Sequence, residues 1–141
     1  DQSIERGYRL SHALEAVFHT RVWLRSGGFL IIERTEAMTV VDVNTGKSIG
    51  RGQKEGHIIK INREAARETA RQIRLRNLSG IILVDFIDMK EKEEEGRLLS
   101  YMQKMLNRDS KKAVAVDMTK LGLMEITRKK IRRPLEKEDF L

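Results

Sequence analysis

Two short apolar segments of this chain each end in an aspartate. Val40 and Val41 precede Asp42, and the run IILV at residues 81–84 precedes Asp85. Continuous runs rich in β-branched residues predict strands that are buried on both faces. In open α/β sheets, ligands bind where such strands end at their carboxyl edge. Two aspartates at neighbouring strand ends could therefore lie side by side and hold a divalent cation.

A cation in that position would support one kind of chemistry. Mg²⁺ prefers six oxygen ligands, usually one or two carboxylates together with water and phosphate oxygens. Held by Asp42 and Asp85, Mg²⁺, with Mn²⁺ as a substitute, would activate water and stabilise charge on a phosphoryl group. The chain has no cysteine, and its three histidines have no partners at a telling spacing, which argues against a Ser-His-Asp or Cys-His nucleophile. The predicted reaction is metal-assisted hydrolysis of a phosphodiester bond.

The two aspartate strands need a connection that makes them parallel. Residues 58–78 have an amphipathic period and predict the longest helix of the chain. A helix between two strands is a crossover connection, so both strands should end at the same edge of the sheet. Three apolar segments at 21–24, 29–33 and 38–43 are separated by short turn signals, and they predict an antiparallel meander that leads into Asp42.

A second helix, over residues 89–107, and two further strands, at 113–116 and 123–127, are predicted after Asp85. The elements together predict an α/β fold that borders on α+β. Its mixed β-sheet begins with an antiparallel meander, continues with βαβαβ-like elements and carries helices packed on the sheet. Asp88 stands three residues before a glutamate, which is a variant of the capping box. Asp88 is therefore either a helix cap or a group that supports the metal site.

The charge of the chain indicates a polyanionic partner. The net charge is +7 and the pI is about 9.9, which is typical of nucleic-acid binding but also of a merely basic surface. Lys47 lies in a glycine-rich loop, and Arg67 and Arg71 belong to a row of four arginines on one helix face. The row is either a phosphate track or a solvated charged face. Aromatic residues make up only 5% of the chain, which predicts little platform for base stacking.

Length and composition exclude several classes of protein. The 141 residues suit one domain with a core of its own. No apolar run is long enough for a membrane span, the first residues have no signal-peptide pattern, and the absence of cysteine excludes a disulfide framework. These features predict a cytoplasmic protein. The sequence begins at Asp1 rather than at a methionine, so we expect a piece of a longer protein.

Three long segments of the sequence resemble a known family. SGGFLIIERTEAMTVVDVNTGK (26–47), NREAARETARQIRLRNLSGIILVDFIDM (62–89) and LGLMEITRKK (121–130) closely resemble the catalytic region of the bacterial ribonuclease E/G family, over about residues 20–130. The resemblance implies a deoxyribonuclease I-like subdomain. It also implies a magnesium-dependent endoribonuclease that cuts single-stranded, often A/U-rich RNA in messenger decay and ribosomal RNA processing in the bacterial cytoplasm.

The resemblance also assigns roles to individual residues. Asp42 and Asp85 match the two magnesium-binding aspartates of the family, and Asn44 matches the asparagine that supports them by hydrogen bonding. Lys112 falls near a position that the family uses to contact RNA. Two further residues, Arg128 and Lys129, lie in its basic segment, where their role is either RNA contact or structure.

The same comparison sets the expected domain organisation. Residues 1–20 are expected to form a helix left from a preceding subdomain, 21–133 the catalytic domain, and 134–141 a frayed tail. The OB-fold RNA-binding domain and the 5′-monophosphate sensor of the family are not in this sequence. The cysteine pair that links its subunits through zinc is also missing, and a homo-oligomer stays open. The alternative function is therefore a basic RNA-binding or assembly module that is inactive without those domains.

Overall fold

The structure, a computed structural model, describes residues 19–46 and 55–129. The predicted helix before residue 19, Lys47 with its loop, and the tail from residue 130 lie outside the described residues. Six strands and two helices are present in the part that is described. In chain order they are β1 (His19–Trp23), β2 (Phe29–Arg34), β3 (Met38–Asn44), α1 (Glu55–Leu75), β4 (Gly80–Asp85), α2 (Lys92–Leu106), β5 (Ala113–Met118) and β6 (Leu123–Arg128).

The strands form one mixed sheet in the order β1-β2-β3-β4-β6-β5. β1, β2 and β3 are an antiparallel meander, and β3 and β4 are parallel neighbours joined by the crossover helix α1. β6 pairs with β4 and with β5, antiparallel to both. The predicted α/β class, the meander and the parallel pair are confirmed. The insertion of β6 between β4 and β5 was not foreseen, because strand order depends on long-range pairing.

Helix α1 packs as its sequence period predicts. All six members of the predicted stripe are buried: Ile61, Ala65, Ala66, Thr69, Ala70 and Ile73. The helix occupies 55–75 rather than 58–78. It ends early because Asn77 takes a left-handed conformation (φ 51°), while the amide of Leu78 donates to the carbonyl of Ile73 at 3.0 Å. Neither helix of the described residues combines the length and the hydrophobicity that a membrane span requires.

The sheet is covered by helices on one face only, as far as residues 19–46 and 55–129 show. Along β3 the buried residues are Thr39, Val41 and Val43, which alternate with half-buried residues on the other face. The prediction that the aspartate strands are buried on both faces is therefore wrong, and Ile81 on β4 is 39% exposed. We call the uncovered side the open face. Asp42 and Asp85 lie on it.

Candidate active site

Asp42 and Asp85 are direct partners in the parallel pairing of β3 and β4. They stand near the carboxyl ends of their strands, on the open face, and neighbouring strands lie about 4.8 Å apart. Asn44 follows two residues after Asp42 on the same face, and its amide Nδ2 donates a hydrogen bond of 3.4 Å to Asp42 Oδ2. The structure therefore brings together the three residues that were predicted to form the site.

The electrostatics of the pair suit a cation. Desolvation raises the pKa of Asp85 above its ordinary value, and the negative charges of Asp42 and Asp88 raise it further. A divalent cation between the carboxylates would relieve this repulsion, and carboxylate and amide oxygens are ligands that Mg²⁺ and Mn²⁺ accept. In the described part of the chain, acidic and histidine side chains do not gather in groups of three or more. A cation held here would complete its coordination with water or phosphate oxygens.

This charge repulsion leads to a prediction about stability. We expect Asp85→Asn to raise the free energy of unfolding at pH 7 in EDTA, because the substitution removes a carboxylate whose pKa is raised by folding. A raised carboxyl pKa means that the folded chain binds more protons than the unfolded chain, so stability falls as pH rises through that pKa. The advantage of the variant should vanish below pH 3.8, where the carboxyl is protonated in both states. Urea unfolding at pH 7 and at low pH measures it, and a variant less stable at pH 7 would contradict it.

A close contact between two glycine turns holds the end of β3. A Cβ atom on Gly28, in the β1–β2 turn, would lie 2.6 Å from the carbonyl oxygen of Asn44. A Cβ atom on Gly46 would lie 2.6 Å from the carbonyl oxygen of Gly27, and Gly46 has a φ of +61°. Any larger residue at these positions would push the two turns apart. Glycine at 28 and 46 therefore allows the β1–β2 turn to support the backbone that carries Asn44.

Asp88 is not the cap of the helix that follows it. α2 begins at Lys92, and Glu91 occupies the N-cap position without a side-chain cap. The capping interpretation of Asp88 is therefore wrong, because the loop after β4 runs three residues further than the pattern suggested. Asp88 is exposed and acts on the site through its charge, which raises the pKa of Asp85. A direct role in holding the metal stays a prediction.

Asn62 is a residue of the site region that the sequence analysis missed. It is buried on α1, where its Nδ2 donates to the carbonyl of Ile87 (2.9 Å) and its Oδ1 accepts from the amide of Ile87 (3.0 Å). These two bonds attach the segment after Asp85 to the crossover helix. The available signal was an asparagine inside the apolar stripe of a helix, where a polar side chain must have a buried partner.

The predicted RNA contacts on α1 lie away from the aspartates. Arg67 and Arg71 are exposed on the outer side of α1, behind the sheet. They border a groove of about 470 Å³, together with Arg25 of the β1–β2 turn and with Trp23, Leu24, Glu64 and Glu68. Arg71 also forms an ion pair with Glu68 at 3.2 Å. The predicted phosphate track is therefore a basic groove at the β1 side of the domain, separate from the carboxylate pair.

The remaining basic residues lie at the opposite edge of the sheet. Arg128 pairs with Gly80, at the start of β4, whereas Asp85 stands at its end, roughly 17 Å away at about 3.3 Å per residue. Lys112 immediately precedes β5 and Lys129 immediately follows β6, so both lie near Arg128 at this far edge, and both are exposed. The strand order causes this separation, because β5 and β6 run antiparallel to each other beside β4.

Arg128 has a structural role instead of an RNA contact. Its side chain is 2% exposed and forms a salt bridge of 2.8 Å with Asp109. Its Nη1 donates to Asn77 Oδ1 and to the carbonyl of Leu78, both at 2.8 Å. The prediction that Arg128 binds RNA is therefore wrong for this structure, because every part of its guanidinium faces the protein. A basic run in a sequence does not reveal which of its members is buried.

Comparison with known proteins gives one consistent result. The family model described as "Ribonuclease E/G family" matches residues 1–131. Ribonuclease G of Haemophilus influenzae is 43% identical over 136 residues, which are 96% of this chain and 28% of that protein. Ribonuclease G of Escherichia coli K12 is 41% identical over 129 residues, or 92% and 26%. Ribonuclease E of a Nostoc species is 42% identical over 123 residues, or 87% and 18%. The chain thus spans about a quarter or less of these relatives.

Proposed function

Because this chain belongs to the ribonuclease E/G family, we propose that it is the catalytic part of a magnesium-dependent endoribonuclease that hydrolyses phosphodiester bonds of single-stranded RNA. The observation that carries the proposal is the pairing of Asp42 with Asp85 at the carboxyl ends of two parallel strands, with Asn44 bonded to Asp42. The relatives that match are named Ribonuclease G and Ribonuclease E, which supports RNA as the substrate.

Each residue of the site has a distinct task in this proposal. Asp42 and Asp85 would hold Mg²⁺ or Mn²⁺, which when bound supplies an activated water and stabilises charge on the phosphoryl group. Asn44 fixes the orientation of the Asp42 carboxylate through its amide. Asn62 holds the backbone after Asp85, so that the second carboxylate keeps its position. The open face leaves room for an RNA strand to approach both carboxylates.

Basic residues away from the carboxylates would bind the RNA backbone. Arg67 and Arg71 border the groove at the β1 side, and Arg25 of the β1–β2 turn connects this groove with the edge that carries the aspartates. Lys112 and Lys129, at the far edge, are exposed and would contact a strand that extends across the sheet. Contacts of this kind make affinity fall as salt concentration rises, without selecting a base sequence.

The biological setting follows from the family. We propose a role in RNA processing and decay, including messenger and ribosomal RNA, in the bacterial cytoplasm. Other parts of the longer protein would present and select the substrate, because the matched relatives are about four times as long as this chain. Assembly into a homo-oligomer would need contacts other than a zinc-bound cysteine pair, since this sequence has no cysteine.

The first test is cleavage by the chain itself. A 5′-monophosphorylated, A/U-rich single-stranded RNA is incubated with the protein in Mg²⁺, in Mn²⁺ and in EDTA, and the products are separated by length. We expect internal cleavage with either metal and none in EDTA, because two carboxylates alone cannot activate water for this reaction. Salt-sensitive RNA binding without cleavage in either metal would contradict catalysis by this chain. That result would favour the alternative, an RNA-binding module that needs further domains for activity.

A further inference from the structure

An aromatic pair lies on the open face beside Asn44. Trp23 of β1 pairs with Phe29 of β2, and Phe29 pairs with Asn44 of β3, so the three side chains form one row across the sheet. The ring centroids of Trp23 and Phe29 are 5.1 Å apart with an angle of 56° between the rings. Trp23 is 62% exposed, so most of this large apolar side chain lies uncovered on the described surface.

A guanidinium completes the cluster. The Cζ atom of Arg21 lies 4.5 Å from the ring centroid of Phe29 and 5.7 Å from that of Trp23, within the range of a cation–π interaction. Arg21 pairs with Ile31, and Ile31 pairs with Asp42, so the cation stands in the same row as the candidate catalytic carboxylates. The row of Arg21 and Asp42 therefore runs beside the row of Trp23 and Asn44.

We propose that Arg21, Trp23 and Phe29 form a platform on which a base of the RNA strand stacks, next to the phosphodiester bond held at Asp42 and Asp85. β1 is two strands from β3, so the platform lies about 10 Å from the carboxylates, a distance that a strand spans within a few nucleotides. An exposed ring stacks on any base because every base has a π face. The proposal rests on the proposed function for which strand is bound, and it makes the platform a positioning device for cleavage.

Charge favours a nucleic acid over a protein segment as the occupant. The exposed ring is accompanied by the guanidinium of Arg21 and by the exposed Arg25 in the adjoining turn, within a chain of net charge +7. Arginine can pair with a phosphate while its plane stacks on a ring. Composition alone predicted little base stacking, because the few aromatic residues were counted and not located. The fold concentrates two of them beside the carboxylates.

The sequence provides a direct probe of this platform. Trp23 is the only tryptophan of the chain, so its fluorescence reports on this position alone. The protein is titrated in EDTA, where hydrolysis is not expected, with an unlabelled A/U-rich single-stranded RNA, and binding is followed in parallel by the anisotropy of a labelled copy. We expect quenching that saturates together with binding. A single abasic nucleotide, moved along the RNA, should abolish the quenching at one position and leave it at the others.

Variants separate stacking from a general loss of surface. We expect Trp23→Ala to weaken RNA binding about 10-fold and Trp23→Phe to retain most of the affinity, because one stacked base contributes about this much. Val116→Ala, which shortens an exposed apolar side chain on the far strand β5, is the matched control and should bind as the parent does. All three should unfold at similar urea concentrations, since Trp23 is mostly exposed.

The outcomes distinguish this inference from the proposed function. RNA binding without quenching, quenching at every abasic position, or no RNA binding by the parent would each overturn the platform. A protein that cleaves RNA in Mg²⁺ but shows no quenching would retain the proposed function and lose the platform. Quenching at one register without any cleavage would retain the platform and contradict catalysis.

Discussion

Replacing either carboxylate of the pair should remove most of the metal-dependent activity. We expect Asp42→Asn and Asp85→Asn each to lower Mg²⁺-dependent cleavage about 10³-fold, because a bound cation contributes several kcal/mol to stabilisation of the transition state. Both side chains lie on the open face outside the helix-covered core, so the variants should fold. The measurement is single-turnover cleavage at saturating protein, which separates chemistry from binding.

Two further variants serve as controls for this experiment. Asp117→Asn replaces an exposed carboxylate on β5, far from the pair, and should leave cleavage unchanged. Asn44→Ala should cost less than either aspartate variant, about 10- to 100-fold, because it removes support for a ligand and not the ligand. Folded aspartate variants that cleave at the parental rate would show that the pair is not catalytic. Salt-sensitive RNA binding should persist in all of them.

The second large effect is expected on stability and comes from a residue that is not in the site. Arg128→Ala should lower the free energy of unfolding by about 3–5 kcal/mol, because it leaves the carboxylate of Asp109 buried without its partner. It also removes two hydrogen bonds that join the end of β6 to the turn after α1. Lys129→Ala, at the exposed neighbouring position, should change stability by less than about 0.5 kcal/mol. Urea unfolding followed by circular dichroism measures both.

The same ion pair gives stability a pH dependence. Burial alone would raise the pKa of Asp109, but the hydrogen bond and charge of Arg128 and the amide of Lys111 lower it below its ordinary value of 3.8. A lowered carboxyl pKa contributes stability that is complete above pH 3.8 and is lost as pH falls through the folded-state value. Asp109→Asn should therefore flatten the acid limb of the stability profile. A profile identical to that of the parent would contradict a stabilising role for the pair.

The sequence was sufficient to locate the carboxylate pair because a general rule connects its two members. A helix between two strands makes them parallel, and parallel strands end at one edge, so Asp42 and Asp85 could be paired without knowing the register. The stripe of α1 was likewise determined by a period that only burial explains. Both inferences use local patterns whose consequence for the fold is almost unique.

The remaining features depend on contacts that no local pattern encodes. Lys112 and Arg128 appeared to belong with the site, but the antiparallel placement of β5 and β6 carries them to the far edge. The burial of Arg128 requires Asp109 and Asn77, which lie 19 and 51 positions earlier in the chain. The aromatic pair escaped notice for the same reason, because its residues meet only through the pairing of β1 with β2.

The direct pairing of Asp42 with Asp85 also affects when during folding the chain could become active. The two residues are separated by the whole of α1, so they meet only after a long loop has closed, a step that is slow relative to local helix formation. A slip of β4 by one residue would turn Asp85 towards the helices. A nascent or misregistered chain therefore has no assembled cation site, and hydrolysis of the cell's RNA by incomplete copies is prevented by the order of folding itself.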